Sequence, residues 1–257
     1  MVLKLLKIIP FLLLLSCGSA WATDYTQNAN CQGAWLMEVD EDPIRDSSTN
    51  SNTGALTSAG NPDYSTTSPP KAYSTGFYVF DGVGDVIDCG NDSSLHSASF
   101  SVVSWLRCDN LSNNVQGMVG TAKGSGSEGF TIDYDFHKAD GLSFNVYGAT
   151  DGEAEANDNL TTAWTHAVGV FDGTNVTLNI GGVLQTDTGT AGHTPGTQNF
   201  KMGPVFSDIA NYYLEGALDE VAYFDDVLTS TEINDIMDNG LKGGAVGIKK
   251  GLVILVN

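Results

Sequence analysis

Three kinds of chemistry could be assembled from the side chains of this chain, and each demands its own spacing. Retaining glycoside hydrolysis needs two carboxyl groups flanking one bond, held on a common face. Glu38-Val39-Asp40 comes nearest, because residues two apart on a strand share a face, but position 42 is Asp and position 43 is Pro, which removes a ladder donor. Glu38 and Asp40 therefore read as an acidic loop after the first strand. The other close acidic pair, Asp219-Glu220, is expected to point to opposite faces of a strand, leaving no acid beside a base. His96, His137, His166 and His193 form no His-x-His or His-Glu-x-x-His spacing, and the serines form no Gly-x-Ser-x-Gly elbow. No Gly-rich phosphate loop is present. These residues give an enzyme little to work with.

Glycan binding asks for something looser: aromatic rings that pack on sugar faces, with amides and carboxylates that bond hydroxyls. Loop residues of those types are Tyr147, Asp151, Glu153, Asn157, Asp158 and Tyr212, with Tyr64 and Tyr73 as further loop aromatics. Solvated acidic turns would use the same residues. Trp35, Trp105 and Trp164 lie within strand patterns and read as core. Asp133, Asp135 and Asp140-Gly141 superficially match a calcium loop. However, Phe130, Ile132, Tyr134 and Phe136 alternate as a strand, and no Glu stands at the twelfth position.

The elements that must position these groups are short strands between turn signals. Period-two alternation predicts strands over 34–37, 77–80, 86–89, 100–107, 117–122, 129–136, 142–147, 164–171, 176–180, 199–204 and 214–224. Within the last, Leu214, Gly216, Leu218 and Glu220 are expected on one face and Glu215, Ala217, Asp219 and Val221 on the other. Thr229 with Glu232 three residues on predicts a capped helix start. Residues 46–76, rich in Ser, Thr, Asn and Gly and broken by Pro62, Pro69 and Pro70, read as one long irregular segment. With 41% apolar residues and 30 glycines in 257, the composition fits a turn-rich all-β sandwich.

Three blocks carry a resemblance over nearly the whole span 34–240. They are Phe80-Asp-Gly-Val-Gly-Asp-Val-Ile-Asp-Cys-Gly90 with Phe100–Arg107; Trp164-Thr-His-Ala-Val through Asn179-Ile-Gly-Gly182; and Tyr213-Leu-Glu-Gly-Ala-Leu-Asp-Glu-Val221 running into Thr229-Ser-Thr-Glu-Ile233. In this order they resemble laminin-G-like domains of the concanavalin A-like lectin/glucanase superfamily. That resemblance implies a jelly-roll sandwich of two antiparallel sheets with one short helix near the C-terminus, a fold used more often to bind than to catalyse. It also implies Ca²⁺ as a cofactor, with Asp81 and Asp219 as the carried-over ligands and Asp85 behind them; bonding to turn amides would use the same carboxylates.

The ends read differently. Residues 1–22 combine Lys4 and Lys7, an apolar run and Ala20-Trp-Ala22, as a secretory signal does, while Leu14-Leu-Ser-Cys17 resembles a lipobox that would lipidate Cys17. Both readings place the protein outside the cytoplasm, secreted or anchored. Residues 23–242 are expected to form one domain. Residues 243–257, ending in Leu252–Val256, have no assigned role beyond an added edge strand or a docking strand for another chain. Cys31, Cys89 and Cys108 allow at most one bridge, with Cys89–Cys108 the favoured pair and packing thiols the alternative. A formal charge of −20 argues against nucleic acid, whose phosphates need Lys and Arg. The expected partner is an extracellular glycan or a cell-surface protein, with structural assembly through the C-terminal strand, or a hydrolase or lyase, as alternatives.

Overall fold

A computed structural model of the chain describes residues 23–57, 61–112, 115–136, 138–204, 206–208 and 212–243. The expected signal with Cys17, His137 and Leu252–Val256 lie outside the described residues. In chain order the strands are β1 (Cys31–Trp35), β2 (Ala55–Leu56), β3 (Asp63–Ser65), β4 (Phe77–Asp81), β5 (Ile87–Asp88), β6 (Phe100–Cys108), β7 (Gln116–Gly120), β8 (Phe130–Tyr134) and β9 (Leu142–Val146). They continue as β10 (Gly148–Thr150), β11 (Gly152–Glu155), β12 (Thr165–Phe171), β13 (Asn175–Ile180), β14 (Val183–Leu184), β15 (Gly189–Thr190), β16 (Gly192–His193), β17 (Lys201–Met202) and β18 (Glu215–Phe224), followed by helix α1 (Ser230–Asn239).

Two antiparallel sheets face each other. One runs β14-β13-β12-β6-β18-β4-β3, with β1 also pairing β18 and β15 also pairing β13; the other runs β11-β9-β8-β7-β17-β5-β2. Alternation decides what lies between them. Phe100, Val102 and Leu106 of β6, Phe130, Ile132 and Tyr134 of β8, and Leu142, Phe144 and Val146 of β9 all enter the central core. Phe100 sits at its middle, 4.7 Å from the Phe130 ring and 5.5 Å from Tyr223. Each such side chain contributes about 1.5–3 kcal/mol by leaving water. Gly169 has no Cβ because one would lie 2.5 Å from the Phe144 ring.

A second apolar layer covers the outer face of the nine-stranded sheet. Val103, Val168, Val170, Ala222 and Phe224 point away from the central core and are roofed by Ile233 and Ile236 of α1. The helix begins where expected: Thr229 caps it, its hydroxyl accepting from the Glu232 amide while Glu232 accepts from the Thr229 amide.

Several expectations fail for identifiable reasons. The first strand is Cys31–Trp35, not 34–37, because Met37 adopts φ +57° and turns the chain out of the sheet. Residues 46–76 contain β2 and β3. The buried Asp46 carboxylate organises the start of this segment by accepting from the amides of Ala34, Ser48 and Asn52. All three described thiols are free and buried; Cys89 follows β5 and Cys108 ends β6, which lie in opposite sheets. Trp35 and Trp105 are both buried, as expected, although Trp105 lies outside the central cluster with Lys71 over its ring; Trp164 is only half-buried, with the Arg107 guanidinium over it. The strongest departure is in β18. Asp219 pairs Trp105 whereas Ala222 pairs Val103, so three steps on β18 match two on β6 and the alternation slips by one. Val221 and Tyr223 therefore join Leu214 and Leu218 in the central core.

Candidate functional site

The slip in β18 is a bulge, and Glu220 sits in it at φ +49°, a conformation a non-glycine side chain adopts at a cost. Bulges of this kind re-aim side chains. Here the expected separation of Asp219 and Glu220 onto opposite faces is lost. Both carboxyls lie on the outer side, where Asp219 accepts from the Ser74 hydroxyl at 2.6 Å and Glu220 from the Leu241 amide at 2.7 Å.

Glu220 opens into a cleft of about 430 Å³. One wall is the irregular segment after β1, supplying Leu36, Met37, Glu38, Val39, Glu41 and Arg45. The other is the end of α1 and the turn beyond it, with Asn239, Gly240, Lys242 and Gly243, and Tyr73 lies between. Both walls are tied down. Tyr73 accepts from the Trp105 indole at 3.1 Å and donates to the Met237 carbonyl at 3.3 Å. Glu38 accepts from the amide of Thr75 at 2.9 Å and also from its hydroxyl, and its carbonyl accepts from Tyr64. Gly240 must be glycine: its φ is +79°, and a Cβ would stand 2.9 Å from the Tyr73 ring and 3.2 Å from Glu220. As expected, Glu38 lies outside any strand.

The electrostatics of this corner are unusual. Asp219 is fully enclosed and Glu220 is 3% exposed. Burial pushes the Asp219 carboxyl up to about 8, with the charges of Glu220 and Glu38 adding to it against the bond from Ser74. Burial likewise raises Glu220 to about 7, aided by Glu38 and opposed by the Leu241 amide. Tyr73 is raised by its burial and then by Glu220. The cleft thus offers acceptors, donors on Arg45, Lys242 and Asn239, and an aromatic and aliphatic lining.

A second polar group, on the outer face of the seven-stranded sheet, is sealed. Asp133 accepts from the Ser143 hydroxyl and the Asn145 amide, each at 2.8 Å, and burial raises its carboxyl to about 7. The Asn145 carbonyl oxygen and the Tyr147 hydroxyl are buried without a hydrogen-bond partner among the described residues. Phe136 and Phe206 pack edge to face beside Tyr147 and Ala122 over this region.

The site residues expected from sequence scatter accordingly. Tyr147, Asp151 and Glu153 gather around Asp133, whose charge and theirs raise the tyrosine after burial has done so. Tyr147 is buried rather than a loop platform, Asp151 accepts from the Gly148 amide, and Glu153 stands opposite Asn145. Asn157 and Asp158 line a separate cleft of about 260 Å³, where Asn157 is clamped by Gln185 and Thr186. Tyr212 is 43% exposed and its carbonyl accepts from the Gly117 amide. Asp81 accepts from the Val83 amide and stands opposite Glu215, four strand positions from Asp219, about 13 Å away. No group of three or more His, Cys, Asp or Glu that could hold a metal ion occurs among the described residues. Sequence reasoning passed over Tyr73 as one loop tyrosine among several, and Arg45, Asn239 and Lys242 altogether. Only the capping-box helix, which ends at Asn239 three residues before Lys242, could have pointed to the last two.

No curated protein matches the sequence. Among solved structures, domain 4 of AbnA, a GH43 extracellular arabinanase from Geobacillus stearothermophilus in complex with arabinotriose, shares 19% identity at a TM-score of 0.64, covering 81% of this chain and 98% of that one. Trypanosoma rangeli sialidase in complex with sialic acid shares 16% at 0.60, covering 80% of this chain and 32% of its own, so the chain spans about a third of that protein. The botulinum neurotoxin type G receptor binding domain shares 11% at 0.56, covering 81% of this chain and 51% of its own. At these identities the likeness is one of fold. A family model matches residues 81–234, well over half of the sequence, and the chain therefore belongs to the laminin-G-like family of the concanavalin A-like lectin/glucanases superfamily.

Proposed function

We propose that this protein is an exported, non-catalytic carbohydrate-binding module whose ligand occupies the cleft between the segment after β1 and the end of α1. The observation that carries the reading is the bulge at Glu220, which spends backbone strain to turn one carboxyl into a lined cleft of sugar size. Sugar hydroxyls both donate and accept, and the lining supplies acceptors on Glu38, Glu41 and Glu220 and donors on Arg45, Lys242 and Asn239. Tyr73 and the aliphatic Leu36, Met37 and Val39 suit the C–H face of a pyranose or furanose ring.

A binding role is favoured over turnover by the state of the carboxyls. Asp219 is enclosed, Glu38 is held by Thr75, Glu41 accepts from the Arg45 amide and pairs its guanidinium at 3.8 Å, and Glu220 accepts from Leu241, so each carboxyl already has a structural partner. This reading does not call on calcium; Asp81 accepts from the Val83 amide and Asp219 from the Ser74 hydroxyl. The coextensive arabinanase domain makes arabino-oligosaccharides the first probes, followed by a broad glycan panel.

Isothermal titration of the chain with these probes tests the proposal. Saturable binding is expected, weakened about tenfold by Lys242→Ala or Arg45→Ala, the loss of roughly one charge-assisted hydrogen bond. Absence of binding across the panel, or binding indifferent to both variants, would overturn it. Release of reducing ends on incubation would replace the binding role by a catalytic one.

A further inference from the structure

The outer face of the nine-stranded sheet carries a separate groove of about 400 Å³, between β13 and the start of α1. Its lining is largely aliphatic: Val170, Leu228 and Ile233 are buried, whereas Leu184 of β14 and Val227 stand 56% and 40% exposed. Among the described residues no aromatic ring, Lys or Arg lines it. Its one carboxylate, Asp172, already accepts from the Thr174 and Asn175 amides and the Asn175 side chain. A sugar finds no ring to pack on here, and an anion finds no cation. Asn179 of β13 is the unusual member. It pairs Val168, an outer-face residue, so its side chain projects to that face. It is 3% exposed, and its amide makes no hydrogen bond among the described residues. A buried amide left without partners is costly. Extended backbone answers it, because the N–H and C=O of one residue point the same way and match the acceptor and donor of a single side-chain amide.

The occupant must lie on the outer face, since the sheet edge beside β14 is closed. The Val183 carbonyl accepts from the Gln185 side chain, the Thr186 amide bonds Asn157, and the Glu155 amide bonds Asp187. The chain itself carries a segment of the right kind and reach. Gly243 is still tied to Gly240 beyond the end of α1, by a backbone bond of 3.2 Å. The ten residues of the helix measure about 15 Å, which sets the distance from its end back to the groove. Residues 244–251 can span about 26 Å when extended, and the uncharged, apolar Leu252-Val-Ile-Leu-Val256 follows them. The way back crosses the β13–β14 turn, which packs on the middle of α1 through Gly182; a Cβ there would stand 2.4 Å from Asn234 and 3.1 Å from Met237. We propose that Leu252–Val256 folds back along α1 and lies extended in this groove, its backbone paired with the Asn179 amide and alternate side chains against Leu184, Val227 and Leu228. The docking stands apart from the glycan reading, whose cleft is at the other end of α1.

Nuclear magnetic resonance of the isotopically labelled whole chain tests the docking. Amides of residues 252–256 are expected to exchange at least about tenfold more slowly than an unstructured chain, with methyl contacts from the segment to Leu184 and Val227. The double variant Leu184→Ser, Val227→Ser changes two residues outside both main core clusters. It should return those amides to the unstructured rate while β6 and β12 keep their protection. Ile254→Ser, within the segment itself, should do the same and keeps the test open if the groove variant fails to fold. Unstructured exchange at 252–256 in the unsubstituted protein, or protection that survives these substitutions, would overturn the proposal. Protection lost on tenfold dilution together with a fall in molecular mass would also overturn it, by placing the segment on a second copy of the chain.

Discussion

Replacing Asp133 by Asn should make the protein markedly less sensitive to rising pH. The carboxyl is fully enclosed on the outer face of the seven-stranded sheet, and burial lifts it from 3.8 to about 7 despite bonds from Ser143 and Asn145. A folded-state value above the unfolded one means that the native protein holds the proton across that window while the unfolded chain has released it. Stability therefore falls as pH rises from about 4 to about 7. Between pH 5 and pH 8 this one group costs about 2–3 kcal/mol, from roughly two units of difference at 1.36 kcal/mol each. Asn cannot ionise. Guanidinium unfolding of both proteins at pH 5, 6, 7 and 8 measures the effect. The stability gap between variant and unsubstituted protein should widen in the variant's favour by about 2–3 kcal/mol across that range, or about 5–10 °C in Tm. A gap that does not change with pH would refute the reasoning, because it would mean that Asp133 carries no proton in the folded state.

Further expectations follow from other corners of the fold. His166 is buried and pushed down to about 3, chiefly by burial and then by Lys71, so stability is lost as pH falls below the unfolded value of 6.5. That loss reaches about 3 kcal/mol at pH 4 and is absent from His166→Leu in acid unfolding followed by circular dichroism. Thr229→Ala removes one half of the capping box and should cost about 1 kcal/mol in denaturant titration. Phe100→Ala empties the centre of the aromatic core and should cost about 3–5 kcal/mol, read from the same titration. Adding chelator tests calcium directly: a drop in Tm or in glycan affinity would assign the ion a role, and no change in either would leave Asp81 and Asp219 as carboxylates that bond the Val83 amide and the Ser74 hydroxyl.

The sandwich was legible because its signals are local and repeated. Phe130, Ile132 and Tyr134 alternate strictly, and the structure places all three in the central core. The Thr229–Glu232 box is a four-residue motif with a direct mechanism, and it forms as read. What escaped was anything set by pairing between distant segments. The β18 bulge is invisible in Leu218-Asp219-Glu220-Val221, since it exists only as a mismatch with β6, a hundred residues earlier. The ordering of 46–76 depends on Asp46 reaching the Ala34 amide, a contact no propensity encodes. The cleft was missed for the same reason: its walls come from residues near 38, 73, 220 and 240, none of which forms a motif with another.

The most direct test of the central claim is amide chemical-shift mapping of the isotopically labelled chain during titration with arabino-oligosaccharides and then with whichever panel glycan binds. The account predicts shifts concentrated at Met37–Arg45, Tyr73 and Asn239–Gly243, with little change at Asn157, Asp158 or along β8 and β9. Saturable shifts confined to β8, β9 and Tyr147, or to the cleft at Asn157, would contradict it by placing the ligand elsewhere on the sandwich.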